Sequence, residues 1–422
     1  MYVSHLAVND FRSYREQVLE LAPGVVVILG QNGRGKTNLV EALAYLSAFS
    51  SHRVSSSSTM VRVAQEGEEQ PGGAVVRARV QEGTRTFLLE LEIARGRANR
   101  ARINKANVVP REIVGRLRTV VFAPEDLELL RGDPSVRRRF LDEVVTQLRP
   151  HFLGVRQDFE RVLRQRGATL KHLGRSGRAL SPEDEAVLEI WDRQLADLSA
   201  VIVVHRHAVV KALQPLITSA YEHITNGDRI AEIEYRGHFR GRRTPLAADG
   251  DVVEDGASST SADADTGLRV VAGRIEGNAE QEVAELSASY LECLRSIRNE
   301  ELRRGINLEG AHRDDLAITL DGLPVRGFAS HGEVWSSALM LRLAELELLR
   351  LDGDYPVLIL DDVFAELDAT RRRGLLSQMG KVEQILVTAA VEEDVPPELE
   401  AQVIRVFRGE DGSSQVRMAG DE

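Results

Sequence analysis

The sequence is poor in cysteine, in aromatic residues and in long apolar runs. Its 422 residues include one cysteine, Cys293, and only 5% Phe, Trp and Tyr. A single cysteine excludes an internal disulfide framework and fits a reducing compartment. The N-terminus has no secretory signal pattern, and polar residues interrupt every apolar stretch well before the roughly 20 residues of a membrane span. We therefore expect a cytoplasmic protein without a membrane partner.

A positive net charge is also absent. The 54 Lys and Arg residues face 65 Asp and Glu residues, which gives a net charge of −11 and argues against a protein that coats nucleic acid by bulk charge. One stretch departs from this balance, because 95–118 contains eight basic residues and a single acid, Glu112. Such a run is usually a solvated face, but it can also follow phosphates. This stretch is therefore a candidate DNA contact.

A second stretch, 247–267, has the opposite bias. It carries six acidic residues, no basic residue and no aromatic residue. Such a segment cannot bury enough apolar surface to offset the entropy that ordering costs. We predict a disordered surface insertion.

The clearest motif is a phosphate loop, G-x-x-x-x-G-K-T at 30–37, between the apolar run 25–29 and a helical pattern at 38–49. In this motif backbone N–H groups surround the β-phosphate, Lys36 reaches the β and γ oxygens, and the Thr37 hydroxyl ligates Mg²⁺. The helix N-terminus adds its positive dipole end. The predicted nucleotide-binding residues are Gly30, Gln31, Asn32, Gly33, Arg34, Gly35, Lys36, Thr37 and Asn38.

A second nucleotide motif lies near the other end of the chain, where the apolar run 357–360 is followed by Asp361 and Asp362. Beside a phosphate loop in a parallel sheet, Asp361 would hold Mg²⁺ with Thr37, directly or through water, and Asp362 would orient the attacking water. The two motifs are 324 positions (361 − 37) apart, far more than one βα repeat needs. We predict a split nucleotide fold with other elements inserted into it.

A third motif begins an amphipathic helix at Ser330. A serine N-cap followed by Gly332 presents a hydroxyl and free N–H groups to an anion such as a γ-phosphate. A simple helix cap that includes Glu333 explains the same residues equally well. The position of Gly332, 29 residues (361 − 332) before Asp361, favours the functional interpretation.

This order of motifs resembles the ATP-binding-cassette ATPases, in which the signature motif of one subunit closes over nucleotide held by another. Within that class the sequence is similar to the RecF family of bacterial recombinational repair proteins. The matching segments are 11–14, 30–38, 51–53, 122–127, 132–142, 310–316, 330–333 and 361–368.

The resemblance implies an α/β fold, namely a P-loop ATPase head of the ABC type with a β-sheet subdomain and an inserted, mostly helical lobe. The predicted divisions are 1–118 and 305–422 for the two ATPase parts and 119–304 for the lobe. Long helical patterns run over 142–173, 182–222 and 279–304. The first two should pair as an antiparallel arm.

The resemblance also implies a function. The protein would bind ATP and Mg²⁺, dimerise on ATP, bind single-stranded gaps and their junctions with duplex DNA, and work with RecO and RecR to help load RecA. Hydrolysis would release the dimer. Lys36 and Asp362 would be catalytic, Thr37 and Asp361 would hold the metal, and the further nucleotide contacts would be Arg12 and, across the dimer, Ser330, Gly332, Glu333 and Asp368.

Three positions depart from the broad cassette pattern. Asp362 replaces the usual glutamate, the segment 331–333 reads His-Gly-Glu in place of Gly-Gly-Gln, and Thr388 replaces the switch histidine of transporters. A shorter carboxylate without that histidine should orient water less well. We therefore expect a slow ATPase, and the resemblance implies that DNA stimulates it.

Three other protein classes share some of these motifs. The ATPase subunit of a transporter would be a membrane-partnered enzyme, which the 324-residue gap and the missing histidine disfavour. A chromosome-organising protein would need hundreds of residues of sustained heptads between the two motifs. A nucleotide-gated DNA clamp or scaffold with vestigial hydrolysis stays open.

Overall fold

The computed structural model describes residues 1–49, 57–65, 67–176, 179–225, 229–237, 279–353, 355–380 and 382–418. The acidic stretch 247–267 and the segment 51–53 lie outside them. The strands are β1 (Tyr2–Phe11), β2 (Tyr14–Glu20), β3 (Gly24–Leu29), β4 (Gly73–Glu82), β5 (Arg85–Ala94), β6 (Arg100–Ile103), β7 (Ala106–Val108), β8 (Thr119–Phe122), β9 (Ala231–Arg236), β10 (Asp315–Leu320), β11 (Leu323–Pro324), β12 (Val357–Asp361), β13 (Gln384–Ala389), β14 (Ala401–Arg408) and β15 (Ser414–Met418). The helices are α1 (Lys36–Ala48), α2 (Leu127–Arg131), α3 (Pro134–Leu148), α4 (Phe152–Ser176), α5 (Pro182–Thr225), α6 (Ala279–Arg304), α7 (Val325–Phe328), α8 (His331–Leu351) and α9 (Ala369–Met379).

The central sheet has the strand order β15-β14-β3-β13-β12-β8. Its strands pair in parallel, except for β15, which is antiparallel to β14. Strands from three distant parts of the chain meet here, namely β3, β8 and the C-terminal strands β12 to β15, so the nucleotide fold is split, as predicted. Strand β12 is buried along its whole length, which is typical of a parallel strand covered on both faces.

Alternate side chains of the central sheet enter two different cores. Val26 and Ile28 of β3 pack with α1 and the strands of a second, antiparallel sheet, β2-β1-β4-β5-β6-β7. Val27 and Leu29 point to the other face, where they pack with α3, α5 and α8.

One predicted division is corrected by strand β8. The prediction assigned residues from 119 onward to the helical lobe, but β8 pairs with β12 in the central sheet, with Val120 opposite Leu358. The boundary at 118 therefore cuts through the nucleotide fold. The boundary was misplaced because β8 is short and its partner strand, β12, follows only after the whole lobe.

One predicted helix is also corrected. The pattern over 142–173 is not one helix, since α3 ends at Leu148 and α4 begins at Phe152. Pro150 lies in the break, and a proline disfavours helical backbone at the residue before it. Arg149 accordingly has φ −138° and ψ 84°.

Helix α5 has 44 residues and is, by length and composition, apolar enough to cross a membrane. In the fold it packs against α4, α6 and α8. Its residues Leu195, Ile202 and Leu213 are fully buried in the larger core. Arg206 in its middle pairs with Asp142 of α3 at 2.7 Å. These features are typical of a core helix.

A buried charge network joins the three long helices of the lobe. Arg166 of α4 is fully buried between two equally buried carboxylates, Asp192 of α5 and Glu301 of α6. It also donates to Asn307 Oδ1 at 2.7 Å. Removing the cation would leave two buried carboxylates short of their partner, which costs more than losing an exposed pair.

We therefore expect Arg166→Met to lower the free energy of unfolding by about 3–5 kcal/mol. The matched control is Arg161→Met, which removes an exposed pair with Asp158 on the same helix and should cost less than about 1 kcal/mol. Urea unfolding followed by circular dichroism measures both. Equal losses in the two variants would contradict the role assigned to the network.

Candidate functional site

The phosphate loop requires glycine at two positions because of its backbone conformation and its close contacts. Gly33 and Gly35 have φ +77° and +112°, values that side chains disfavour. A Cβ on Gly35 would also lie 2.6 Å from Ser414 Oγ and 2.8 Å from Ser13 Oγ. Helix α1 begins at the next residue, Lys36, so the N–H groups of its first turn can bind an anion.

Two other segments, the β1–β2 turn and the C-terminal hairpin, form hydrogen bonds with this loop. Tyr14 OH donates to Gly35 O at 3.1 Å, and Ser414 Oγ donates to Arg34 O at 2.5 Å. Asn38 Nδ2 donates to Ser13 Oγ at 2.8 Å. The β1–β2 turn and the C-terminal hairpin thus hold the loop in shape. Sequence reasoning missed Ser414, because nothing local links it to a residue 380 positions earlier.

The two predicted metal ligands meet. Thr37 Oγ1 lies 3.2 Å from Asp361 Oδ1, and Asp361 is only 2% exposed. Mg²⁺ binds oxygen at about 2.1 Å in an octahedron, so adjacent ligands lie about 3 Å apart. A hydroxyl and a carboxylate oxygen at this separation fit two such positions. In the described part of the chain no group of three or more His, Cys, Asp or Glu could hold a metal.

Lys36 and Asp362 face the same space. Lys36 Nζ lies 3.1 Å from Asn32 Oδ1 and 3.7 Å from Asp362 Oδ1, and the lysine is buried. The Asp362 side chain is 34% exposed, so water can reach its carboxylate. Its φ of +52° lies in a region that aspartate tolerates better than most residues.

Thr388 connects the two carboxylates. Its Oγ1 donates to Asp361 Oδ1 at 2.5 Å and accepts the backbone N–H of Asp362 at 2.9 Å. The sequence showed this residue only as a departure from the switch histidine. In the structure it orients the predicted metal ligand and holds Asp362 in its left-handed conformation.

Arg12 is bound to the phosphate-loop helix. Its guanidinium makes a bidentate pair with Glu41 of α1, at 2.8 and 2.6 Å, and donates to Thr59 O at 3.2 Å. Glu41 is fully buried. Arg12 therefore anchors the phosphate-loop helix to the β1–β2 turn. A direct contact of Arg12 with nucleotide stays a prediction.

The signature residues form a complete helix cap. Ser330 Oγ accepts the Glu333 N–H at 3.3 Å, and Glu333 Oε2 accepts the Ser330 N–H at 2.7 Å. Donation from the Ser330 backbone, helped by Arg229 at 3.1 Å, lowers the pKa of Glu333. Ser330 itself is exposed. Among the described residues, none of the hydrogen-bond or ion-pair partners of Ser330 and Glu333 comes from the phosphate loop.

Asp368 caps a second helix beside the signature. It accepts the N–H groups of Thr370 and Arg371 at the start of α9, at 3.0 and 2.9 Å, and pairs with the Arg371 side chain. These contacts, led by the Arg371 N–H, lower the pKa of Asp368. Arg371 also donates to Ser336 Oγ of α8 at 2.6 Å. One arginine that the sequence did not single out thus links Asp368 to the signature helix α8.

The basic stretch 95–118 is partly neutralised by strand β5. Arg97 pairs with Glu92 and Arg102 with Glu90, each at 2.6 Å. Arg116 lies over the ring of Phe87, 5.9 Å from its centre. A count along the sequence misses these partners because they lie before the stretch or across the sheet. DNA contact at this stretch stays a prediction.

Comparison with known proteins decides the family. A family model described as the RecF/RecN/SMC N terminal domain matches residues 2–415. The chain is 46% identical to the DNA replication and repair protein RecF of Beutenbergia cavernae over 420 residues, which cover 97% of this chain and 99% of that protein. The chain belongs to the RecF family.

Solved structures confirm the RecF fold and its relation to SMC heads. The recombination mediator protein RecF-ATP of the RecFOR pathway superposes with a TM-score of 0.77 at 25% identity, over 99% of this chain and 97% of the other. An Smc head bound to the C-winged helix domain of ScpA gives 0.51 at 15% identity, over 100% and 98%. The second likeness is one of fold alone. The predicted α/β ATPase fold of the ABC and SMC type is thus confirmed.

We expect Thr388→Val to lower the ATP turnover number at least about tenfold, since it removes a hydrogen bond to each carboxylate segment, and a bond to a charged group is worth roughly 1.5–3 kcal/mol. ATP affinity should change less than turnover. Thr388→Ser keeps the hydroxyl and is the matched control. A coupled-enzyme ATPase assay decides the matter, and equal rates for the valine and serine variants would exclude the role given to the hydroxyl.

Proposed function

We propose that this RecF family member is a nucleotide-gated switch in DNA repair, which binds DNA as an ATP-bound dimer and releases it after slow hydrolysis. The observation that carries the proposal is the contact between Thr37 and Asp361, at 3.2 Å and bridged further by Thr388. It unites a phosphate loop with a buried carboxylate from the other end of the chain. The relatives' names support the DNA-repair part.

ATP and Mg²⁺ are the proposed cofactors. The loop 30–38 would bind the phosphates through backbone N–H groups and Lys36, while Thr37 and Asp361 would hold the metal. The metal supplies neutralisation of phosphate charge. The similar solved RecF structure contains ATP, which supports the choice of nucleotide.

Asp362 is the proposed water-orienting base. It is partly exposed and lies beside Lys36 at 3.7 Å, and its backbone is held by Thr388. Because aspartate is one methylene shorter than the usual glutamate, we propose slow turnover that DNA stimulates.

Dimerisation is proposed to complete the site. Ser330 is an exposed helix cap, and the partners of the Glu333 carboxylate are the cap itself and Arg229. The signature residues therefore lie at the surface, where nucleotide held by a second subunit could contact them. They are Ser330, Gly332, Glu333 and Asp368. The proposed targets are single-stranded gaps and their duplex junctions in cytoplasmic DNA, with RecO and RecR as partners and RecA as the protein finally loaded. The RecFOR pathway named for the similar structure supports these partners.

The alternative is a DNA clamp whose hydrolysis is vestigial. Asp362→Asn separates the two, because it keeps the size of the side chain and removes its charge. We expect the turnover number to fall about 100-fold or more, while ATP-dependent binding to a gapped duplex persists longer after ATP is added.

The measurements are an ATPase assay and fluorescence anisotropy of a labelled gapped duplex in Mg-ATP. Asp158→Asn changes an exposed acid of α4, is the matched charge control and should behave like the parent. If Asp362→Asn had the same turnover number as the parent protein, hydrolysis would be vestigial. If the parent protein did not bind the duplex under any condition, the proposed DNA switch would be wrong.

A further inference from the structure

A polar cavity of about 470 Å³ lies where the phosphate-loop helix meets the helical lobe. Tyr45 and Phe49, at the C-terminal end of α1, form one wall. Ser135 and Arg139, in the first turns of α3, form another. The cavity therefore contacts the far end of the helix whose N-terminus carries Lys36.

The cavity is positively charged although the protein is acidic. Its lining includes four arginines, Arg138, Arg139, Arg156 and Arg206, and two acids, Asp142 and Glu160. Asp142 is fully engaged by Arg206, which donates to both its oxygens at 2.7 and 2.8 Å. The lining thus has two more positive than negative charges, in a chain of net charge −11.

Several of these groups have hydrogen-bonding capacity to spare. Arg139 is exposed, and no hydrogen bond or ion pair joins it to another described residue. One buried donor of the lining, the N–H at Arg156 Nε, has no hydrogen-bond partner among the described residues. Buried donors without partners are rare in folded proteins. A ligand with several acceptor oxygens would satisfy them.

We propose that this cavity binds a backbone phosphate of DNA. Guanidinium groups match phosphate oxygens in a bidentate way, and the first turn of α3 adds N–H groups and the positive end of its dipole. Half-buried Phe49 on the wall offers a face for a base. This inference rests on the proposed function and assigns a contact residue to it, Arg139.

The site also suggests how DNA and nucleotide communicate. Helix α1 has 13 residues and is therefore about 20 Å long, with the phosphate loop at one end and the cavity at the other. The Arg12 pair with Glu41 ties its middle to the antiparallel sheet. A phosphate in the cavity would therefore contact the same helix, α1, as the nucleotide.

The test is Arg139→Glu, measured by anisotropy of a gapped duplex in Mg-ATP at several salt concentrations. We expect affinity to fall at least tenfold and the magnitude of the salt slope to fall by about one, whereas Arg139→Lys, which keeps the charge but not the bidentate geometry, should lose less. ATP binding and dimerisation should not change. The matched control is Arg164→Glu, an exposed arginine of α4 outside the cavity, which is also without a recorded partner.

The outcomes separate the two proposals. If the parent binds DNA and Arg139→Glu binds equally well, the cavity is not a DNA site and the proposed function stands. An equal loss in Arg164→Glu would reduce the effect to general charge and overturn the cavity assignment. A parent that binds no DNA with or without ATP overturns both. If inorganic phosphate protects Arg139 from arginine-directed modification but the duplex does not, the cavity is a small-anion site and not a DNA site.

Discussion

The pairing of β13 with both β3 and β12 is the constraint on which the site depends. In this register Thr388 lies opposite Ile28 on one side and Asp361 on the other. Strand β3 leads into the phosphate loop, so the same pairing brings Thr37 within reach of Asp361. A slip of one residue would turn the Thr388 side chain to the other face of the sheet and separate these groups. Register in the central sheet is therefore a condition of the chemistry.

The two cores make that register costly to change. One face of the sheet packs on α1 and the antiparallel sheet, and the other packs on α3, α5 and α8. Each strand alternates between them, so a slip would exchange the two sets of side chains. Buried ion pairs such as Arg206 with Asp142 add geometric specificity at the border of the lobe. The ATPase head and the lobe therefore share one core, in which side chains of the central sheet pack against helices α3 and α5.

The sequence was informative where the signal is local. The phosphate loop, the Asp361 and Asp362 pair and the Ser330 cap each occupy a few consecutive residues, and the structure has them as strand end, loop and helix start. Thr388, Ser414 and Arg371 were not recognised, because their roles arise from contacts across tens or hundreds of positions. The same limit explains the misplaced boundary at β8 and the acidic partners of the basic stretch, which a count along the sequence does not show. The break at Pro150 is different, since the proline was a local signal that outweighs the helical periodicity around it.

The account depends most on the proposal that ATP joins two subunits through the helix cap at Ser330 and Glu333. Sedimentation velocity in Mg-ATP and in Mg-ADP tests this proposal most directly. The parent is compared with Ser330→Arg and with Ser181→Arg, which disrupts an equivalent serine cap at the start of α5, where Ser181 Oγ accepts the Asp184 N–H at 3.2 Å. The account predicts ATP-dependent dimers for the parent and the Ser181 variant, and monomers for the Ser330 variant in both nucleotides. Dimers of Ser330→Arg in ATP, or a parent whose mass ignores the nucleotide, would contradict it.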